Sequence, residues 1–389
     1  MNNLIMIPDW EYKERVKAAS IKIQKKGLDL FIASGSESDY ANVRYFSGFW
    51  PLFERAGVAI APNGEAALIC GPESKIFAAD RSKLDKLFVL LEYRESANPS
   101  YPELKCNNFG DVAKALKVSG IKRIGIGGYI DTNVVIMDGI REAFPNAEIV
   151  NADDIMLSLR SIKSENELAC MREGFRITDV AMHEVMRAIK PGMTELALVG
   201  IAQKVIYEEG AEYEGLPMYV FSEKSTSHAI SRPSYRRIGK GDIVQLNLSA
   251  KVDGYSPSIG WPISMGPLAG SKREHTEFCL AAHKWTYKQL KAGVKASTIA
   301  KDFYNFYLKN GYVENFLYGP CHGTGMIEVE APWMETTSGY ILEPNMTFQV
   351  DTFISTKDYG IRWETGIVVT NDGCQLLSNP IGEIYEVDC

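Results

Sequence analysis

Apolar residues recur along the chain at two spacings, and the switches between them outline the elements. Leu30 to Ala33 is a short unbroken apolar run of the kind a buried strand needs. From Gly57 to Cys70 two apolar arms flank Pro62-Asn63-Gly64, which predicts a hairpin. Asp111 to Val118 carries helical spacing and stops near Gly120. Arg123 to Gly127 is strand-like again, and Val134 to Phe144 is a second helix halted before Pro145. Strands alternating with helices predict a small α/β domain with helices packed on a sheet.

The sharpest helix start in the chain is Ser164-Glu165-Asn166-Glu167. It has the form of a capping box, in which the serine accepts from an early backbone N–H and Glu167 reaches back. Leu168, Met171, Phe175, Met182, Val185 and Ile189 follow at steps that build one apolar helix face, with Thr178 filling the gap. Pro191-Gly192 closes it. The domain boundary is placed just before this helix, giving residues 1–158 and 159–389. Beyond it, Thr194 caps a helix to about Glu209, and Ile243 to Ile259 reads as a hairpin turned at Asp253-Gly254. A helix from about Lys272 to Leu290 follows, then one capped by Ser297 and ending at Asn310, then strands bearing His322, Asp351 and Glu364, and a turn at Asn371-Asp372-Gly373. Paired helices with antiparallel hairpins predict an α+β class for this second part.

Composition narrows the function classes. The 389 residues leave room for two domains, and 46% hydrophobic with 23% charged residues is ordinary for a globular protein. A net charge of −7 argues against nucleic acid as a partner. Seven scattered cysteines, an odd number without a Cys-x-x-Cys pair, point to reduced thiols in a cytoplasm. The apolar run near the start, Leu4 to Ile7, is too short for a signal-peptide core, and no apolar stretch is long enough to span a membrane.

The residues that carry chemistry fall in four ordered segments. Gly241-Asp242-Ile243-Val244-Gln245-Leu246-Asn247-Leu248 leads to Asp253-Gly254-Tyr255-Ser256-Pro257-Ser258-Ile259. Later come Gly319-Pro320-Cys321-His322-Gly323-Thr324-Gly325, then the strands ending in Asp351 and containing Glu364. In order and spacing they resemble the creatinase / aminopeptidase P / methionine aminopeptidase family of pita-bread hydrolases. The resemblance implies a pita-bread catalytic domain preceded by a smaller creatinase-type α/β domain. It also places a dinuclear metal centre of Asp, Asp, His, Glu and Glu at positions that here read Asn247, Ser258, His322, Asp351 and Glu364. A neutral amide and a hydroxyl replace two carboxylates, so a normal dinuclear centre is not expected.

Three functions remain open on these residues. The leading expectation is a creatinase-like hydrolase of a C–N bond in a small guanidino, amidino or amide compound, working without a cofactor. In it His228 is the base, Asp351 and Glu364 hold a cation or share a proton beside His322, and Asn247 matches the asparagine that creatinase has at the first ligand position. The alternative is a mononuclear Xaa-Pro dipeptidase or aminopeptidase, with one divalent ion such as Mn, Zn or Fe on His322, Asp351 and Glu364. The third is a peptide-binding module without catalysis.

Departures from the family weigh on each. Gly260 stands where creatinase has a glutamate, Val329 where the peptidases have a second histidine, and Trp333 about where creatinase has an arginine. Glu330 is a candidate compensating acid, Arg362 shares a strand face with Glu364 and is expected to orient a carboxylate or bind substrate, and Asn247 and Glu330 are expected to line the substrate site with it. In the first domain, Asn42-Val43-Arg44-Tyr45-Phe46-Ser47-Gly48-Phe49 matches a family segment. The resemblance then assigns Phe53 and Arg55 to substrate binding in a partner subunit, which implies a homodimer. Cys321 and His322 are strand neighbours on opposite faces and do not form a nucleophile–base pair. His183, His275 and His283 lie in helix patterns and read as structural.

Overall fold

The computed structural model describes residues 5–379 and 382–389. It divides into two units, one of Ile7–Arg160 and one that holds Ser161–Cys389. Among the described residues no helix is long and apolar enough to cross a membrane.

The first unit alternates as its pattern predicts: α1 (Asp9–Lys25), β1 (Leu30–Gly35), α2 (Ala41–Ser47), β2 (Ala56–Ile60), β3 (Ala66–Cys70), α3 (Lys75–Arg81), β4 (Leu87–Val89), α4 (Phe109–Ala115), β5 (Arg123–Gly127), α5 (Val134–Ala143), β6 (Glu148–Asn151) and α6 (Asp153–Arg160). The six strands form one mixed sheet in the order β4-β3-β2-β1-β5-β6. The β2–β3 hairpin turns where Gly64 takes a φ of +85°, which a side chain would resist. Leu30, Ile32, Ile69, Phe109, Val112, Ile126 and Ile140 fill the core beneath α4 and α5.

The second unit opens with α7 (Glu165–Ala188), whose capping box forms as read: Ser164 accepts from Glu167 N, and the Glu167 carboxylate accepts from Ser164 N. Then come α8 (Glu195–Glu208), β7 (Tyr213–Glu214), β8 (Tyr219–Ser222), β9 (Ile243–Lys251), β10 (Ser258–Ser264), α9 (Gly270–Tyr287), α10 (Ala296–Lys309), β11 (Cys321–Gly323), β12 (Glu330–Met334), β13 (Thr347–Ser355), β14 (Gly360–Val369), β15 (Cys374–Leu376) and β16 (Tyr385–Glu386). Its sheet runs β12-β11-β13-β14-β10-β9-β7, with β8 on β9, β15 on β14 and β16 on β10. Each long hairpin has its own helix pair: α7, with α8 beside it, covers β9–β10, and α9, with α10 beside it, covers β13–β14. The start of α10 differs from expectation. Ser297 lies inside α10, and the cap is Lys295, whose extended backbone bridges to Ile341. Strand pairing by Lys295 sets that boundary, so the serine hydroxyl is not needed there.

Antiparallel register aligns side chains from five strands in one transverse row. Tyr219 pairs with Asn247, Asn247 with Gly260, Gly260 with Glu364, and Glu364 with Asp351. Two residues along, Gln349 pairs with His322 and His322 with Trp333. Alternation sends the intervening residues to the other face, against helices. There Cys321, Phe348, Val350 and Ile367 join a core with Ile299 and Ala300 of α10.

A polar cluster lies on that helix-covered face. His283 of α9 sits between the strands that carry Asp351 and Glu364. Its Nδ1 is 3.2 Å from Thr352 Oγ1, and its Nε2 is 3.1 Å from Thr365 Oγ1 and 2.6 Å from the Tyr287 hydroxyl. Burial, with a smaller push from Lys284, lowers its pKa from 6.5 to about 3. The unfolded chain therefore takes up a proton that the folded chain refuses. The stability held above pH 6.5 is lost progressively as pH falls toward about 3, at up to about 1.4 kcal/mol per pH unit. Urea unfolding at pH 7 and pH 5 should show wild type losing about 2 kcal/mol more than His283→Gln. Equal losses in the two proteins would remove His283 as the cause.

Candidate active site

The site grows from the shared row. Asn247 and Glu364 lie on strands separated by β10, so their backbones are about 9–10 Å apart. They nevertheless meet, with Asn247 Nδ2 donating to Glu364 Oε2 across Gly260. A Cβ at residue 260 would stand 2.7 Å from both Asn247 Nδ2 and Glu364 Cβ. The glycine is therefore what allows the contact, and a glutamate of the creatinase kind does not fit there without moving both residues.

Glu328 is the member that sequence reasoning missed. After His322 the chain leaves β11 with a register shift, and the turn closes with Gly325 N on Ile327 O at 3.2 Å. Val329, which replaces the family's second histidine, is 44% exposed, while Glu328 turns inward and is buried. Ser258 Oγ lies 2.9 Å from Glu328 Oε1 and 3.0 Å from Glu364 Oε1. His322 Nε2 lies 3.9 Å from Glu328 Oε1 and 3.7 Å from Glu364 Oε1. The available signal was a glutamate within Met326-Ile327-Glu328-Val329, in a chain that has lost two site acids.

Asp351 is committed elsewhere. It receives the Tyr318 hydroxyl at 2.7 Å and lies 3.3 Å from Arg362 Nε. Arg362 also donates from Nη2 to Tyr318 Oη at 2.9 Å and to Ala229 O at 2.8 Å, with its guanidinium over the Phe353 ring at 4.8 Å. The second bond joins the His228 loop to the site. His228 itself is exposed at the end of a short helical turn, its Nδ1 3.2 Å from Ser231 Oγ. Glu330 is buried in an ion pair with Lys163 at 3.1 Å. Phe53 and Arg55 lie in the first unit. Phe53 is 79% exposed at a φ of +57°, beside a buried Glu54 that accepts from Glu73 N and Ser74 N.

The electrostatics of Glu328 and Glu364 follow from their placement. Burial first, then the neighbouring Glu328 and Asp351 charges, push the Glu364 carboxyl well above its ordinary range. Burial also raises Glu328. Two buried carboxyls this close titrate as a pair. Tyr219, half-buried on the same row, is raised mainly by burial.

The sequence pattern of Metallopeptidase family M24 matches residues 169–371, and that of the Creatinase/Prolidase N-terminal domain matches residues 15–162. The chain belongs to metallopeptidase family M24. It is thus a hydrolase of the peptidase kind acting on C–N bonds, with the pita-bread fold. Among curated proteins it is 26% identical to an Xaa-Pro dipeptidase of Pyrococcus horikoshii, over 95% of this chain and 98% of that protein. It is equally 26% identical to an uncharacterised peptidase of Bacillus subtilis, over 88% and 92%. An X-Pro aminopeptidase structure from Thermotoga maritima superimposes with a TM-score of 0.81 at 24% identity, over 96% of this chain and 99% of that one.

Family M24 corrects one expectation. The loss of Asp at 247 and 258 suggested a site without a cofactor. The family is one of metallopeptidases, and the site offers ligand atoms of His322, Glu328 and Glu364 all within 4.8 Å of one another. The donor chemistry fits a divalent ion. His322 Nδ1 faces Gly323 O at 3.0 Å, and a carbonyl only accepts, so Nδ1 carries the hydrogen. Nε2 is then the nitrogen left to ligate, and it faces two carboxylates, a donor set that suits a divalent ion. In this set Glu328 stands where the sequence had suggested Asp351.

A like-charge pair of this kind costs stability while no ion is bound. A carboxyl raised above its unfolded value of 4.5 gives stability that is present below that pH and lost as pH rises through the folded value. At pH 8, chelated Glu328→Gln should therefore melt a few degrees above chelated wild type. Added Mn(II) should reverse the order, because only wild type keeps the full ligand set. Thermal melts with and without the ion check this, and an unchanged order would contradict it.

Proposed function

We propose that this protein is a metal-dependent hydrolase of short Xaa-Pro peptides. The observation that carries the reading is the three-residue ligand set of His322, Glu328 and Glu364, found in a chain that runs almost end to end with an Xaa-Pro dipeptidase. A divalent ion held there supplies Lewis acidity for the scissile carbonyl and makes hydroxide available near neutral pH.

The chain's own residues do the rest. Asn247 holds Glu364 Oε2 and Ser258 lies against Oε1, which fixes the carboxylate in one orientation. Arg362, paired with Asp351 and bonded to Tyr318, holds that acid in place and grips the loop that follows His228. The Trp333 ring lies 5.3 Å from His322 and is 38% exposed, an apolar face suited to a proline ring. His228, at the exposed end of the loop that Arg362 grips, is assigned the proton transfer to the leaving nitrogen. Phe53 and Arg55 are assigned to substrate capture across a homodimer, and an odd number of scattered cysteines without a Cys-x-x-Cys pair supports a reducing, cytoplasmic setting.

Chelated protein should not cleave Xaa-Pro dipeptides, and readdition of Mn(II), Co(II) or Zn(II) should restore turnover. His322→Ala should lower kcat/KM by about 100-fold or more. Full activity after chelation would overturn the metal requirement. Loaded protein that leaves Xaa-Pro dipeptides intact would overturn the substrate class.

A further inference from the structure

Two strings of hydrogen bonds converge on the place where a second ion would need carboxylates, and their directions can be worked out from their ends. The backbone N–H of Arg362 only donates, so the Gln245 atom 3.0 Å away is Oε1. Gln245 therefore presents its NH2, which lies 3.0 Å from Asn247. Asn247 must accept there with Oδ1, so its own NH2 is the group that faces Glu364. The second string starts at Ser258 O, which only accepts. Gln349 therefore shows its NH2 to that carbonyl at 2.9 Å and to Ser258 Oγ at 2.9 Å. With that lone pair occupied, the single Ser258 hydroxyl hydrogen points to Glu328 or Glu364. All seven residues are buried.

We infer that hydrogen-bond donors have taken the place of the second metal ion, and that this is a site for one divalent ion. Asn247 Nδ2 and Ser258 Oγ direct hydrogens at the oxygens a second ion would share. Gln245 and Gln349 hold them in that sense, so neither group is turned to offer an oxygen instead. Charge counting agrees. Glu328 and Glu364 together offset one dication, and the Asp351 charge is already met by Arg362. A second dication would leave a net charge of about +2 in a buried pocket, which burial makes costly. The inference rests on the metal reading above but is separable from it, because ions are counted rather than turnover.

The experiment is Mn(II) loading of the full chain at about tenfold excess, removal of free ion, metal counting by mass spectrometry and low-temperature EPR. Wild type should hold one Mn(II) per chain with the spectrum of an isolated ion. Asn247→Asp/Ser258→Asp should hold two, with a spin-coupled spectrum. Two ions in wild type would overturn the inference while leaving the metal reading intact. No ion in wild type would overturn both. A folded double variant that still holds one ion would show that the donors are not what excludes the second. Should the double variant fail to fold, the wild-type count decides alone: one supports the inference and two overturns it.

Discussion

Three acids, Glu328, Asp351 and Glu364, are buried together on one face of a sheet, and a buried carboxylate needs a cation or a donor. The surrounding residues are arranged to meet that demand. Asp351 takes Arg362 and Tyr318. Glu364 takes Asn247 on one oxygen and lies against Ser258 on the other, while Glu328 lies against the same serine. What remains is a pair of carboxylate edges facing His322 Nε2, a set that a single divalent ion would complete. Had the family's two aspartates been present at 247 and 258, the same pocket would have needed more positive charge.

The strands make this arrangement possible because they fix it from both sides. Register puts Asn247, Gly260, Glu364 and Asp351 in line, and the side chain missing at residue 260 opens the line. On the reverse face Thr352 and Thr365, each next in sequence to a site acid, are tied together through His283 of α9. A neutral imidazole is suited to this position, because it can donate from one nitrogen and accept at the other between two hydroxyls. The site thus stands on paired strands backed by a helix, which is the rigid support that precise ligand geometry needs.

Much of this was legible in the sequence because it is carried by local chemistry or by two-residue alternation. The capping box at Ser164, the hairpin at Asp253-Gly254 and the opposite faces of Cys321 and His322 are of that kind. So is the shared face of Arg362 and Glu364. Glu328 was not legible, because its direction depends on a turn after β11 that shows Val329 to solvent and Glu328 to the pocket. Nor was the diversion of Asp351 to Arg362 and Tyr318, since Tyr318 lies 33 residues away in sequence. The expectation of a cofactor-free site counted the two absent aspartates and not the buried Glu328.

The most direct test of the one-ion account is a crystal structure of the Mn(II)-loaded protein with data collected at the metal's absorption edge. The account requires a single anomalous peak per chain, within bonding distance of His322 Nε2, Glu328 and Glu364, with Asp351 still on Arg362. A second peak beside Asn247, a peak ligated by Asp351 in place of Glu328, or no peak at all would contradict it.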